Sequence, residues 1–326
     1  MIDQCAEMLK KGQLVVFPTE TVYGLGASAF DEDAVQAVFK AKGRPADNPL
    51  IVHISDMKML KAVVQDIPKT AHKLMKTFWP GPLSIVLKKK YIVADSVTCG
   101  LDTVAVRMPS HPVAHELIKR TGVPIAAPSA NTSGKPSGTL ATHTIEDLKG
   151  KVAAIIDSGK CAYGLESTVI DLSDKPILLR PGAVTLEQLE ATIGNIEVAD
   201  PNAKKPRCPG MKYRHYAPKT RFVFVVGKDN VEIKVKMEKK CKELLKQDKK
   251  IIIICSKELS DELDLSTEIY VVGKKNDHLL LGANIFKVLR DLDKKEYDCI
   301  LMGSCPEEGI GRAINNRVRK AASDII

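Results

Sequence analysis

Residues 42–54 read Lys42-Gly43-Arg44-Pro45-Ala46-Asp47-Asn48-Pro49-Leu50-Ile51-Val52-His53-Ile54, and they hold the alternation on which the fold turns. The amphipathic pattern of 32–42 stops at Gly43, a residue suited to a helix C-terminus, and 50–54 is a short apolar run of the kind that forms a buried strand. Pro45 and Pro49 stiffen the passage between them. Cations are favoured at a helix C-terminus in any case, so Lys42 and Arg44 fit a solvated cap. The rigidity favours a second reading, because a guanidinium held in place suits phosphate oxygens.

The same alternation extends on both sides. Strand-like runs stand at 14–17, 50–54, 83–87, 103–107, 123–127, 152–156, 168–172 and 177–180, and helices are predicted at 32–42, 69–78, 112–120 and 186–193. Thr185 with Gln188 has the spacing of a capping box for the last of these. Residues 1–13 read as an amphipathic helix and not as a secretory signal. The stretch 201–227 changes character, with four prolines, seven Lys or Arg and no acid, as an interdomain linker does. Beyond it a second alternation of strands and helices predicts a small parallel sheet of Rossmann type. The expected domains are 1–200, a basic linker at 201–220, and 221–326.

Composition narrows the class. Lys and Arg number 49 against 40 Asp and Glu, a net charge of +9 that favours anionic partners without choosing among them. With 44% hydrophobic residues the chain can bury a sizeable core, and no apolar run approaches the roughly 20 residues of a membrane span. The expectation is a folded cytoplasmic protein with no membrane partner. The eight cysteines include no CxxC pair, and several lie in apolar runs, so they read as reduced core thiols and not as staples or metal ligands.

Several short motifs bear on function. Gly24 to Ala29 fits GxGxxA, but no strand runs directly into the glycines and no helix opens on them, which disfavours a dinucleotide fingerprint. Gly134-Lys135 precedes Pro136, which excludes a Walker A loop. Thr19 to Gly26 reads as hydroxyls and one carboxylate leaving a strand, then glycines that either let backbone approach a ligand or form a plain turn. The segment 126–138, AAPSANTSGKPSG, is dense in hydroxyls and backbone donors able to wrap an anion, although composition alone makes it an ordinary loop. Arg107 and Arg180 each end an apolar run, where ligands are favoured; a lone strand-end arginine is more often a surface ion pair, but four cations on separate rigid elements, Lys42, Arg44, Arg107 and Arg180, suggest a shared anionic pocket. His53 reads as a core or half-buried histidine, and Glu166-Ser167-Thr168 as a strand start. No catalytic triad, HExxH or GxSxG pattern is present.

Taken together, KGRPADNPLIVHI, PSANTSGKPS, ESTVIDL and PGMKYRHYAP resemble the YrdC/Sua5 family of threonylcarbamoyl-AMP synthases. The family's KxR and SxN appear as Lys42/Arg44 and Ser129/Asn131, and GIGRAINNRVRKAAS near the end is similar to the long, two-domain Sua5 form. The resemblance implies an open, twisted YrdC-like α/β domain with a basic concave cavity and a smaller Rossmann-like C-terminal domain. It implies a nucleotidyl transfer that joins L-threonine, bicarbonate and ATP into threonylcarbamoyl-AMP and pyrophosphate, with Mg²⁺ entering with ATP and no separate metal site. The product would pass to a tRNA threonylcarbamoyl transferase for the N6-threonylcarbamoyl modification of adenosine 37. Thr21, His53, Arg107, Ala127 (through its backbone) and Ser167 would hold threonine. Arg44, Asn48, Thr103, Ser129, Asn131, Ser137, Arg180 and Tyr216 would hold the nucleotide, with Lys42 adding charge near the phosphates.

These residue types suit that chemistry. A carbamate oxygen must reach the α-phosphorus of ATP, so two anions have to meet, and fixed cations offset their repulsion without a protein nucleophile. The mixed anhydride formed is open to hydrolysis, and the segment 211–218 with Tyr216 is expected to cover it. The alternative is an RNA-binding module using the same basic cavity, at most weakly, since 5% aromatic residues and no RNP pattern leave no evident stacking platform.

Overall fold

Helix α2 (Glu32–Lys42) starts where Asp31 accepts a hydrogen bond from the Ala34 N–H and stops at Gly43, whose φ of 62° lies in the left-handed region. The computed structural model describes residues 1–200 and 215–326. They divide into two compact units, 1–133 with 137–200, and 134–136 with 215–326. The expected linker thus lies mostly, at 201–214, outside the described residues.

The first unit carries β1 (Val15–Phe17), β2 (Gly24–Ser28), β3 (Ile51–His53), β4 (Leu83–Lys88), β5 (Thr103–Arg107), β6 (Ile125–Ala127), β7 (Ala154–Ile155), β8 (Thr168–Asp171), β9 (Ile177–Arg180) and β10 (Glu197–Val198). They form one mixed sheet in the order β10-β9-β8-β4-β5-β3-β6-β2-β1-β7. Besides α2, its helices are α1 (Ile2–Lys10), α3 (Met57–Val63), α4 (Lys69–Phe78), α5 (Asp95–Thr98), α6 (Pro112–Thr121), α7 (Ala141–Leu148) and α8 (Leu186–Ile193). Alternation along the strands sorts the side chains. Val52, Ile85, Val106, Ala126 and Ile170 join the main core, whereas Ile51, Val86, Ala105, Val169 and Leu179 form a separate cluster.

The mixture of strand directions is what builds a site. β3 and β5 are parallel, β4 runs against β5, β8 follows β4, and β9 runs against β8. The C-terminal ends of β3, β5 and β9 therefore meet the N-terminal starts of β4 and β8 at one edge. There Arg180, Val169, Ser84, Arg107 and His53 are successive register partners in a single row. Directly paired residues share a face, so this row presents its side chains together.

The second unit carries β11 (Arg221–Val225), β12 (Ile251–Cys255), β13 (Glu268–Val271), β14 (Cys299–Gly303) and β15 (Asp324–Ile325), with α9 (Asn230–Leu245), α10 (Lys257–Glu262), α11 (His278–Leu292) and α12 (Gly309–Ala321). Its sheet order is β13-β12-β14-β11-β15 and every pair is parallel, the expected Rossmann-like arrangement. The apolar run 251–255 is buried throughout, as a strand covered on both faces must be.

Three readings need correction. The glycines of Thr19–Gly26 form neither a turn nor a loop: Gly24 and Gly26 lie within β2, paired antiparallel to β1. A Cβ on Gly26 would stand 2.8 Å from the Phe17 ring and 2.9 Å from Ile125, so the glycines make room for an aromatic ring. Arg107 and Arg180 are not surface cations but are 3% and 5% exposed. Lys42 is no solvated cap either, being 2% exposed. The thiols of Cys5, Cys161, Cys241, Cys255 and Cys299 are free and buried, while Cys99 and Cys305 are free and half-buried.

Candidate active site

Arg107 stands between Ser84 and His53 in the row. Its Nη1 donates to Thr21 Oγ1 at 2.8 Å, its Nε to the Gly81 carbonyl at 3.2 Å, and its Nη2 pairs with Glu20 Oε1 at 2.6 Å. Thr19 holds the strand exit in shape, because its Oγ1 donates to the Val22 carbonyl at 2.6 Å and accepts from the Thr21 and Val22 N–H groups. Burial pushes the Glu20 carboxyl up, but the Arg107 charge and hydrogen bond outweigh it and hold the group below its ordinary range. Its second oxygen, Oε2, is buried with no hydrogen-bond partner.

His53, the register partner of Arg107 on β3, is buried with the Phe17 ring edge-on at 6.0 Å. Burial, and then the Arg107 charge, lower its pKa to about 3, which keeps the imidazole neutral at physiological pH. On the other side Ser84 Oγ lies 2.8 Å from Ser167 Oγ, and Arg180 donates from Nη2 to Ser167 Oγ at 3.1 Å and to its carbonyl at 2.9 Å. Ser137 donates to Glu166 Oε1 at 2.5 Å. Thr21, His53, Arg107, Ser167, Arg180 and Ser137 are thus linked by direct bonds, register or a single intervening neighbour.

A second group forms around the SxN loop. Ser129 bridges to Gly24 and the Leu25 N–H donates to Pro128 O at 2.9 Å, so the loop lies beside the strand that leaves Thr21. Ser129 Oγ donates to Asn131 Oδ1 at 2.6 Å, and Lys42 Nζ donates to the carbonyls of both residues. Ala127 pairs with Ile51 on β3. Arg44 is half-buried and folds over its own turn, with Nη2 on the Asn48 and Pro49 carbonyls at 3.1 and 3.2 Å. Asn48 is fully buried, and neither side-chain atom has a hydrogen-bond partner. An amide left in that state costs a few kcal/mol, which is repaid when a ligand supplies the missing partners.

Within the first unit one expected residue stands apart from the row. Thr103 shares the face of Arg107 but begins β5, four residues away, roughly 13 Å along the strand at 3.3 Å per residue. Tyr216 belongs to the second unit, where its ring stacks on Phe286 at 5.0 Å and Arg317 lies 5.9 Å from its centroid. The segment expected to act as a cover falls at 211–214 outside the described residues. Conversely, neither Ser84, a small polar residue inside an apolar strand, nor the placing of Glu20 on Arg107 follows from any motif in the sequence. Only the unusual presence of a serine within LSIVL hinted at the first.

The row of strand ends and the hydroxyl-rich loop define a mixed α/β enzyme domain joined to a parallel-sheet domain. A family model described as "Telomere recombination" (Sua5, YciO and YrdC) matches residues 7–182, and one for the threonylcarbamoyl-AMP synthase C-terminal domain matches 184–323. The chain belongs to the threonylcarbamoyl-AMP synthase family in its two-domain, Sua5 form. The threonylcarbamoyl-AMP synthase of Pyrococcus abyssi is 46% identical over 97% of this chain and 92% of its own length, and that of Bacillus subtilis 43% identical over 98% and 92%. The structure of P. abyssi Sua5 complexed with L-threonine superposes with a TM-score of 0.92 at 44% identity, covering 99% of this chain and 95% of that one.

Proposed function

We propose that this chain joins L-threonine, bicarbonate and Mg·ATP into threonylcarbamoyl-AMP with release of pyrophosphate, a nucleotidyl transfer that supplies a tRNA threonylcarbamoyl transferase. The observation that carries the reading is the row of strand ends that sets His53, Arg107, Ser84 and Arg180 on one face, with the hydroxyl-rich 129–131 loop bridged to the strand that follows Thr21. Arg107 receives the threonine carboxylate, with Thr21 and Ser167 fixing the amino acid and the neutral His53 adding no positive charge to its site. Arg44, Asn48, Ser129, Asn131, Ser137 and Arg180 take the nucleotide.

The chain's task is orientation and charge. Guanidinium groups fixed by backbone carbonyls, as Arg44 and Arg180 are, meet the charge that builds up when the carbamate oxygen approaches the α-phosphorus, and they need no reorganisation at that moment. Mg²⁺ supplies further neutralisation as part of the Mg·ATP substrate. No helix of the described residues is long and apolar enough to cross a membrane.

The test is pyrophosphate release from ATP by the purified chain. The expected result is turnover that requires both threonine and bicarbonate and stops when either is omitted. Release that ignores threonine, or retention of RNA with no turnover, removes the reading.

A further inference from the structure

Lys42 closes α2, yet its side chain is among the largest fully buried ones of the described residues. Its Nζ donates to the Ser129 carbonyl and to the Asn131 carbonyl, each at 2.5 Å, and its own carbonyl accepts the Ser133 N–H at 2.9 Å. One residue therefore grips the 129–133 loop at three points, and two of the three ammonium donors are spent on backbone. A buried ammonium needs such partners to keep its charge, and an ammonium so engaged is poorly placed to serve as a mobile phosphate ligand.

From this geometry we infer that Lys42 is a positioning residue for the SxN loop, acting on the nucleotide through Ser129 and Asn131 and not by touching its phosphates. The mechanism is electrostatic as well as mechanical. Carbonyl oxygens carry the negative ends of the peptide dipoles, and drawing two of them onto one ammonium turns them away from the face that an anion would approach. The loop's Ser129 and Asn131 side chains, joined at 2.6 Å, are then held in a single arrangement. The inference rests on the nucleotide reading of this loop given above.

The experiment is a double-mutant cycle on the full chain, with Lys42→Met, Ser129→Ala and both together, read by pyrophosphate release at saturating threonine and bicarbonate. Each single variant is expected to lower kcat/KM for ATP about 10- to 100-fold, with the KM for threonine moved by less than about threefold. The combined variant is expected to be no more than about threefold worse than the more impaired single one, because loss of Lys42 already misplaces the Ser129 side chain. Losses that multiply overturn the inference.

Amide spectra of the same proteins read the anchor without activity. Lys42→Met is expected to shift the backbone amides of residues 129–133, and amides left in place also overturn it. Should Ser129→Ala keep unchanged ATP kinetics, the nucleotide reading of the loop fails by itself, and the amide shifts alone decide whether Lys42 anchors it. If Lys42→Met does not fold, the ammonium resonance of Lys42 in the unmutated chain takes its place. It is expected to be protected from solvent exchange at neutral pH, and rapid exchange counts against the anchor.

Discussion

Glu20 and Arg107 form a buried ion pair at 2.6 Å, each under a tenth exposed, between the exit of β1 and the C-terminal end of β5. The residue expected to hold a substrate carboxylate is thus already oriented by a carboxylate of the chain itself. A buried pair contributes little net stability as a pair, but removing one member strands the other charge in a medium that cannot solvate it.

Glu20→Ala is therefore expected to destabilise the chain by about 3–5 kcal/mol, and Glu20→Gln, which keeps a hydrogen bond to the guanidinium, by less. Urea unfolding measures both. In the folded Gln variant the KM for threonine is expected to rise, since Arg107 loses the contact that sets its orientation. An Ala variant as stable as the parent would show that the pair is solvated in solution.

Arg44→Ala and Asn48→Ala test the second group. Each is expected to raise the KM for ATP about 10- to 100-fold. The Asn48 variant is expected to lose little stability, because the amide it deletes has no hydrogen-bond partner to abandon. A large drop in melting temperature with normal ATP kinetics would make Asn48 a structural residue.

The pH profile of stability follows from His53. Its pKa falls to about 3 in the folded chain, chiefly through burial, from an ordinary value near 6.5. Between those values the unfolded chain binds a proton that the folded one refuses, so stability falls as the pH drops below about 6.5 and is level above it. Burial lowers the His111 pKa in the same direction. The depressed Glu20 carboxyl adds its own loss only below its unfolded pKa, about 4.3. Melting temperature measured from pH 7.5 to 4.5 is expected to decline in the lower half of that range, with a shallower slope in His53→Asn.

Gly26→Ala probes the packing of β2. The added methyl would meet Phe17 and Ile125 at under 3 Å, and the expected cost is about 1–3 kcal/mol of overpacking. Paired with Phe17→Leu, which opens that space, the loss is expected to be smaller than the sum of the two single changes. Strict additivity would mean that the ring does not press on the glycine.

Much of the local order was legible in the chain alone, for reasons that are themselves local. Helices α4 and α8 occupy 69–78 and 186–193 as predicted, the second opened by the Thr185–Gln188 capping box, because period and caps act over a few residues. The strands TVAVR and ILLR likewise span 103–107 and 177–180. The KxR and SxN motifs were visible as types of residue at a spacing, and so was the family they resemble.

What no local rule supplies is which strand lies beside which. Only the order β9-β8-β4-β5-β3 brings Arg180, Ser84, Arg107 and His53 into one row, and only the packing of α2 against the 129–133 loop turns Lys42 inward onto two carbonyls. Composition and periodicity thus decided the elements and the chemistry available to them. The folded sheet decided which cations are buried, what each one holds and which polar atoms are left for a ligand, because burial and register depend on neighbours far away along the chain.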